Sequence, residues 1–465
     1  MKHTKIVATV SDRRCDVDFI RSLSEAGVDV VRLNSAHMSR DGMKQVVANV
    51  READPRLAIM IDTKGPEIRT TAVDGAEYIT FEAGNNVIIK GNPGTLTTPE
   101  CICLNYADIA RSLKAGDRML IDDGELAFRI ESIDGDTINA VAENSGRLGS
   151  RKSVNVPGSS IPLPAVTDRD REYIHYAADL GVDFVAHSFV RSSADVYAIQ
   201  QILNAVGSDM KIISKIENQE GVDNFDSILA ASYGIMVARG DLGIEVPAET
   251  IPRIQLTIIN KCMAAHKPVI VATQMLHSMI EHPRPTRAEI SDVANAVYQR
   301  ADALMLSGET ASGKYPVEAV KTMARVAMEV ERELTIRPHV PPMTDTDVAS
   351  FLARQAVASE LAVGTKAIIT DAYQGRTARH IASYRGLHPV FAICFNASVA
   401  RWLALSYGVV PYLADINGNI SRAEGLELFK GTGLLHPEHL VAYLSGTNAG
   451  TKALEIAALA SLRQQ

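Results

Sequence analysis

Eight short apolar runs separated by stretches of helical pattern constrain this chain more than any other feature. They are Ile6 to Val10, Val28 to Leu33, Leu57 to Ile61, Val182 to Ala186, Ile212 to Ile216, Ile235 to Ala238, Val269 to Ala272 and Ala303 to Leu306. A strand that is apolar along its whole length has both faces buried, which is the condition of a parallel sheet covered by helices. Eight strand–helix units in succession are what a (β/α)8 barrel requires.

The spacing fails once, between the third run and the fourth. There the segment 70–159 carries the turn signals Asp74-Gly75, Gly84-Asn85, Asn92-Pro93-Gly94, Asp123-Gly124 and Asp134-Gly135, with alternating stretches such as Tyr78 to Phe81 and Ala127 to Ile130 among them. This texture predicts a small all-β domain inserted in the barrel. Past the proline-rich stretch 338–342, a fresh alternation predicts strands at Ala367 to Thr370, Val390 to Cys394, Val409 to Leu413 and Leu440 to Leu444. The expected division is therefore a barrel over 1–69 and 160–338, an insertion over 70–159, and a separate α/β domain over 339–465.

Composition narrows the function classes. Aromatic residues are 5% of the chain against 46% hydrophobic residues overall, and the formal charge is −8, so there is no electrostatic or stacking case for a nucleic-acid binder. Any phosphate must be handled by local basic residues. Cys15, Cys101, Cys103, Cys262 and Cys394 are an odd number, and Cys101-Ile102-Cys103 has the wrong spacing for a zinc knuckle. No apolar stretch reaches the roughly 18 residues of a membrane span, and the first residues lack the run of a signal peptide. A reduced, cytoplasmic setting is expected.

Barrel enzymes work at the C-terminal ends of their strands. Here those ends deliver Arg32 and Asn34, Asp62 and Thr63, Ser188 and Arg191, Lys215 and Glu217, Arg239 and Asp241, Thr273 and Gln274, Ser307 and Glu309. One polar strand end is more often a loop cap, but seven converging on one rim indicate a site. Side chains alternate along a strand, so Lys215 and Glu217 share one wall. Asp241 completes a metal-binding pair with Glu217 if the two strand ends lie side by side. The bland alternative, a buried Lys215–Glu217 salt bridge, is weak because such pairs are poor stabilisers. Lys215, Glu217 and Asp241 suit a phosphorylated anion held with a divalent cation: a compact ammonium balances phosphoryl charge, and carboxylates supply the hard oxygens Mg²⁺ prefers. Arg32 offers a planar fork for phosphate oxygens, and N–H groups at the helix start Gly240-Asp241 would hold a carboxylate. Thr286-Arg287-Ala288-Glu289 reads as a capping box, hence architecture.

The segments Ile213-Ser-Lys-Ile-Glu-Asn-Gln-Glu-Gly221, Ile235-Met-Val-Ala-Arg-Gly-Asp-Leu-Gly243, Asp62-Thr-Lys-Gly-Pro-Glu-Ile-Arg69, Met305-Leu-Ser-Gly-Glu-Thr310 and Ala272-Thr-Gln-Met-Leu276 resemble the pyruvate kinase family, as does Pro283-Arg-Pro-Thr-Arg-Ala-Glu289. The resemblance covers nearly the whole chain. It implies phosphoryl transfer from phosphoenolpyruvate to ADP, giving pyruvate and ATP in the last step of glycolysis, with Mg²⁺ (or Mn²⁺) and K⁺ as cofactors. The insertion becomes a mobile β-barrel lid, and the C-terminal domain serves regulation and assembly as a homotetramer. By the same resemblance, Thr273, with Ser307 nearby, serves the proton relay to the enolate, Arg69 and Lys152 contact ADP phosphates, and His37 lies on the nucleotide side. Asn34, Asp62 and the Thr63 carbonyl are left to ligate K⁺. Thr370, Gln374, Gly375, Arg376 and Thr377 resemble an effector-phosphate loop.

The chain departs from the family in places. Asn34-Ser35-Ala36-His37-Met38 lacks the hydroxyl the family carries at position 36, while Glu67 matches members that need an external monovalent cation. Thr9-Val10-Ser11-Asp12 replaces the usual Gly-Pro pair near the base, leaving base preference open. Tyr233 and His187 stand where an aspartate and a small residue are expected, which predicts a repacked pocket floor. The segment after Leu444 looks shortened where the family carries a second effector loop. Two other readings stay open at this point: a metal-dependent lyase acting on pyruvate enolates, and a catalytically altered paralogue that binds phosphometabolites as a regulator.

Overall fold

The apolar runs form the strands expected of them. In this computed structural model the described residues are 1–336, 347–414, 435–447 and 450–464, so the predicted linker at 338–342 lies outside them. In chain order come β1 (Lys5–Thr9), β2 (Val30–Asn34) and β3 (Ala58–Asp62); then β4 (Tyr78–Phe81), β5 (Asn86–Gly91), β6 (Cys101–Leu104), β7 (Arg118–Ile121), β8 (Leu126–Asp134), β9 (Thr137–Ala142), β10 (Gly146–Gly149) and β11 (Val154–Asn155). The barrel resumes with β12 (Phe184–His187), β13 (Lys211–Ile216), β14 (Gly234–Ala238), β15 (Val269–Ala272) and β16 (Ala303–Leu306). β1 to β3 and β12 to β16 close into one parallel barrel in sequence order, with β1 pairing β16.

Local chemistry sets the helices between them. In Val17–Ala26, Asp16 caps the N–H of Phe19, Gly27 closes the helix at φ 116°, and Phe19, Ile20 and Leu23 face the barrel. Thr286 and Glu289 make the reciprocal capping box that starts Arg287–Tyr298, as their spacing predicts.

Strand parity places the site. Val7, Val30, Met60, Ala186, Ile213, Met236 and Met305 fill the barrel interior, while their neighbours Ala8, Val31, Ile61, Val185, Ile212, Val237 and Leu304 pack against the helices. Two residues further along, the interior face carries Thr9, Arg32, Asp62, Ser188, Lys215 and Ser307. The alternation that builds the core therefore delivers the polar rim with no extra device.

The insertion has its own core, including Phe81, Ile89, Ile102, Leu104, Phe128 and Leu148. It is built from a six-stranded sheet, β11-β7-β8-β9-β5-β6, and a two-stranded one, β10-β4, rather than from one closed ladder. Its two ends are stitched together: Thr70 N–H donates to the Lys152 carbonyl at 2.8 Å and Val154 N–H to that of Ile68 at 2.9 Å.

The C-terminal sheet runs β19 (Val409–Leu413), β18 (Val390–Cys394), β17 (Ile368–Ala372), β20 (Leu440–Thr447) and β21 (Gly450–Ala458). Its fifth strand is not predicted from sequence. Ala, Leu, Lys and Glu give 451–458 a helical composition, and antiparallel pairing with β20 overrides it. The shortened segment after Leu444 thus forms part of this hairpin, and 448–449 lie outside the described residues.

The C-terminal domain closes the N-terminal mouth of the barrel. Barrel-interior residues such as Phe184 and Met236 share one apolar cluster with Ile368, Ile381 and Leu403. Around it, Asp302 takes both terminal nitrogens of Arg385, at 3.0 and 2.7 Å. Arg401 reaches Asp183 at 2.6 Å. His266 stacks on His380 with centroids 4.1 Å apart, and Ser350 bridges the two rings. Tyr233 belongs here: its ring lies under Arg379 at 4.4 Å and its hydroxyl faces the Trp402 carbonyl. It precedes β14 and so sits at the end of the barrel away from the rim. His187 is no floor residue either, since parity turns it outward into the helix layer. Both ring nitrogens are buried without hydrogen-bond partners, and burial pushes its pKa down to about 4. The sequence expectation of a repacked floor is overturned for both residues.

Candidate active site

Lys215 stands at the centre of a buried charge network. Its Nζ lies 2.8 Å from Glu217 Oε1, 3.2 Å from Asp62 Oδ1 and 2.8 Å from Ser188 Oγ. Arg32 donates from Nε to Asp62 Oδ2 at 2.6 Å and from Nη1 to Thr9 Oγ1 at 3.0 Å. Burial opposes the Lys215 charge, but Asp62, Glu217 and Asp241 outweigh it and hold the ammonium above its ordinary range. Burial likewise opposes the Asp62 carboxylate, and Arg32 and Lys215 hold it below its usual range. Both stay ionised.

Glu217 is the group this network leaves short. Its Oε2 accepts from Phe189 N–H at 2.6 Å, but Oε1 has only the ion pair with Lys215 and no hydrogen bond of acceptable geometry. Burial pushes the carboxyl up to about 7; Lys215 opposes the shift and Asp241 adds to it. β13 and β14 are adjacent, and the first turn of the helix Arg239–Glu245 carries Asp241. Two carboxylates that repel, one with an orphaned oxygen, fit a divalent cation.

The next strand end is strained. Thr273 has φ 70° and Gln274 φ 56°, left-handed values that are rare for any side chain and especially for a β-branched one. The strain is held in place from both sides. Gly240 N–H donates to Thr273 Oγ1 at 2.7 Å. Arg239 Nη2 donates to the Thr273 carbonyl at 2.7 Å, and Asp292 clamps Arg239 through two 2.7 Å bonds. Glu309 ties the neighbouring ends together, accepting from Leu276 N–H at 3.1 Å and Ser307 N–H at 2.8 Å.

Between rim and insertion lies a cleft of about 660 Å³ lined by Arg69, Lys152, Arg191 and Asp241, among others. Across it Asn155 donates to Glu245 at 2.8 Å.

A model described as "Pyruvate kinase, barrel domain" matches residues 1–320, and one described as "Pyruvate kinase, alpha/beta domain" matches 351–457. The chain belongs to the pyruvate kinase family. A pyruvate kinase of Borreliella burgdorferi is 45% identical over 466 residues, spanning 98% of this chain and 97% of that one. One from Geobacillus stearothermophilus is 43% identical over 419 residues, spanning 88% of this chain and 71% of that one. The crystal structure of a Cryptosporidium parvum pyruvate kinase superposes with a TM-score of 0.92 at 38% identity, covering 98% of this chain and 96% of that one. The reaction is accordingly phosphoryl transfer from phosphoenolpyruvate to ADP, giving pyruvate and ATP. Neither an enolate lyase nor a non-catalytic paralogue receives support. The family works with a divalent metal and potassium.

Within that pyruvate kinase frame the structure gathers most of the predicted residues and separates some. Arg32, Asp62, Lys215 and Glu217 form one network, whereas His37 is an exposed loop residue outside the cleft. Arg69 and Lys152 do line the cleft, each paired with a carboxylate: Arg69 with Glu67 at 2.8 Å and Lys152 with Asp122 at 2.8 Å. Arg191 is an anchor, donating to the carbonyls of Ile161 and Leu163 where the chain returns from the insertion. The Gly240 N–H, expected to be free for a carboxylate, is taken by Thr273. Asn34 Oδ1 accepts from Ala36 N–H at 3.0 Å, and the Thr63 carbonyl accepts from Ser188 Oγ at 2.7 Å. Asp12 rests against Gly42, where a Cβ would meet its Oδ2 at 2.5 Å. Thr370 is fully buried and bonds the Leu444 carbonyl at 3.1 Å, so it is a strand contact and not part of an effector loop; Gly375, at φ 73°, and Arg376 do open a helix. Ser188, read from sequence among the strand ends, accepts from Lys215, and Thr9, which was not singled out, accepts from Arg32. The interior-face rule finds Thr9, two residues beyond Val7.

Proposed function

We propose that the reaction runs on Arg32, Lys215, Glu217 and Asp241, with Thr273 and the lid residues Arg69 and Lys152 completing the site. The orphaned Glu217 Oε1 beside Lys215 carries this reading, because it is a hard ligand with no protein partner but an ammonium. Glu217 and Asp241 would hold Mg²⁺ or Mn²⁺. Such an ion supplies neutralisation of phosphoryl and carboxylate oxygens. Arg32 directs its remaining donors at the phosphoryl group, and Lys215 balances charge on that group and on the enolate oxygen left behind. Thr273 lies at the start of the proton path to the enolate methylene; an ordinary hydroxyl is a poor acid, so it relays with Ser307 and solvent. Asn34, Asp62 and the Thr63 carbonyl are the K⁺ ligands in this reading, and Arg69 and Lys152, which line the cleft, the ADP side. Gln374, Gly375, Arg376 and Thr377 would take an effector phosphate, and the chain would act in the cytoplasm as a homotetramer.

Pyruvate release coupled to a reporter, with Mg²⁺ fixed and K⁺, ADP and GDP varied, tests the proposal. Turnover with ADP that requires K⁺ is expected. No turnover in any combination sinks the assignment, and full activity without K⁺ removes the monovalent site.

A further inference from the structure

Two thiols unused by this chemistry, Cys101 and Cys103, face each other on β6 with Sγ to Sγ 3.9 Å. Alternation puts Ile102 and Leu104 on the core side of the insertion and both sulfurs on the other. Their surroundings differ: Cys101 is partly exposed, whereas Cys103 is 2% exposed. β6 is the outermost strand of its sheet, paired with β5 on one edge and meeting Thr70 in a single antiparallel bridge at Leu104 on the other. This second edge is covered by a loop, through bonds of 2.9 and 3.3 Å between Thr98 and Cys101 and one of 3.1 Å from Cys103 N–H to Thr97 Oγ1. These are single bonds to loop segments, so a pucker of β6 disturbs them and not another strand of the sheet.

We propose that Cys101 and Cys103 are a site of reversible intramolecular disulfide formation driven by a hydroperoxide. The Cys101 thiolate attacks the peroxide, the O–O bond breaks, and an alcohol (water from hydrogen peroxide) leaves, giving a sulfenic acid on Cys101. The Cys103 sulfur then attacks the Cys101 sulfur, the S–O bond breaks, hydroxide departs and takes the Cys103 proton as water, and the S–S bond forms. Two electrons pass from the thiols to the peroxide. Burial and the neighbouring Cys101 push the Cys103 thiol up to about 11, which keeps it protonated and leaves the first attack to the more exposed Cys101.

Strand residues two apart stand roughly 6.6 Å apart at Cα, near the upper limit for a disulfide, so the bond bends β6 and is readily reduced. The bend falls on the lid hinge. Thr71 N–H donates to the Cys103 carbonyl at 2.8 Å, and Asn105 exchanges bonds of 2.9 and 2.8 Å with the backbone of Arg69.

Peptide mapping of the full chain treated with hydrogen peroxide tests this. Cleavage after Lys90 and Arg111 isolates residues 91–111, which contain both cysteines and no methionine. This peptide should become lighter by two hydrogens, regain its mass with dithiothreitol, and be accompanied by faster amide exchange at 69–71. Cys103→Ser should leave Cys101 trappable as a dimedone adduct. Unchanged mass, oxygen gained with no loss of two hydrogens, or a Cys103→Ser chain that behaves like the parent would overturn the proposal.

Discussion

Lys215 Nζ and Glu217 Oε1 lie 2.8 Å apart at the end of β13, with Glu217 one residue past the strand, yet the contact lacks hydrogen-bond geometry. The lysine is shared with Asp62 and Ser188, which leaves the glutamate oxygen open. A structural salt bridge would satisfy both partners. This arrangement instead keeps a cation in place while reserving a carboxylate oxygen for something else.

Replacing Lys215 by methionine should abolish phosphoryl transfer, by at least about a hundredfold in kcat, since it removes a preorganised charge from the transition state. Asp62 keeps Arg32 in that variant, but Glu217 loses its only cation. The melting temperature should therefore fall without divalent metal and recover with it. Thermal scans with and without Mn²⁺ check this, and near-normal turnover would remove Lys215 from the mechanism.

Glu217→Gln keeps the shape and removes the charge. Weakening of Mn²⁺ binding beyond the roughly 10–100-fold typical of outer-sphere changes is expected. Electron paramagnetic resonance of free Mn²⁺ reads this directly. Affinity equal to the parent's would show that Glu217 is not a ligand.

Thr273 offers a test of strain. Alanine and glycine both remove the hydroxyl that accepts from Gly240, but only glycine relieves φ 70°. The glycine variant should be more stable than the alanine variant by about 1 kcal/mol, while both turn over slowly and Thr273→Ser retains activity. Identical melting of the two would mean that the backbone there is not strained.

Much of this site was legible because one rule, alternation along a buried strand, links core to rim: Met60 implies Asp62, and Ile213 implies Lys215. Thr9 escaped because the end of β1 was read for the pair beyond it and not along the strand's interior face. Tyr233 and His187 were misplaced for a related reason. Nearness to a motif in sequence says nothing of which end of a strand, or which face, a residue occupies. The Asp292 clamp on Arg239 and the stacking of His266 on His380 join segments remote in sequence with no local pattern, so only the folded chain could reveal them. β21 was hidden by composition.

The joint between barrel and C-terminal domain predicts acid sensitivity. Burial, with His266 adjacent, pushes His380 from 6.5 down to about 4. Asp347 opposes the shift, and Arg376 and Arg379 add to it. A base with a depressed folded pKa binds its proton in the unfolded chain first, so the stability it contributes is full above about pH 6.5 and drains as pH falls toward about 4. His3, at the same joint, is likewise pushed down to about 4 by burial, with Lys5 adding to the shift. Calorimetry should show the C-terminal domain separating from the barrel at lower temperature as pH drops through this window. His380→Gln should flatten that dependence, whereas a slope equal to the parent's would place the acid response elsewhere.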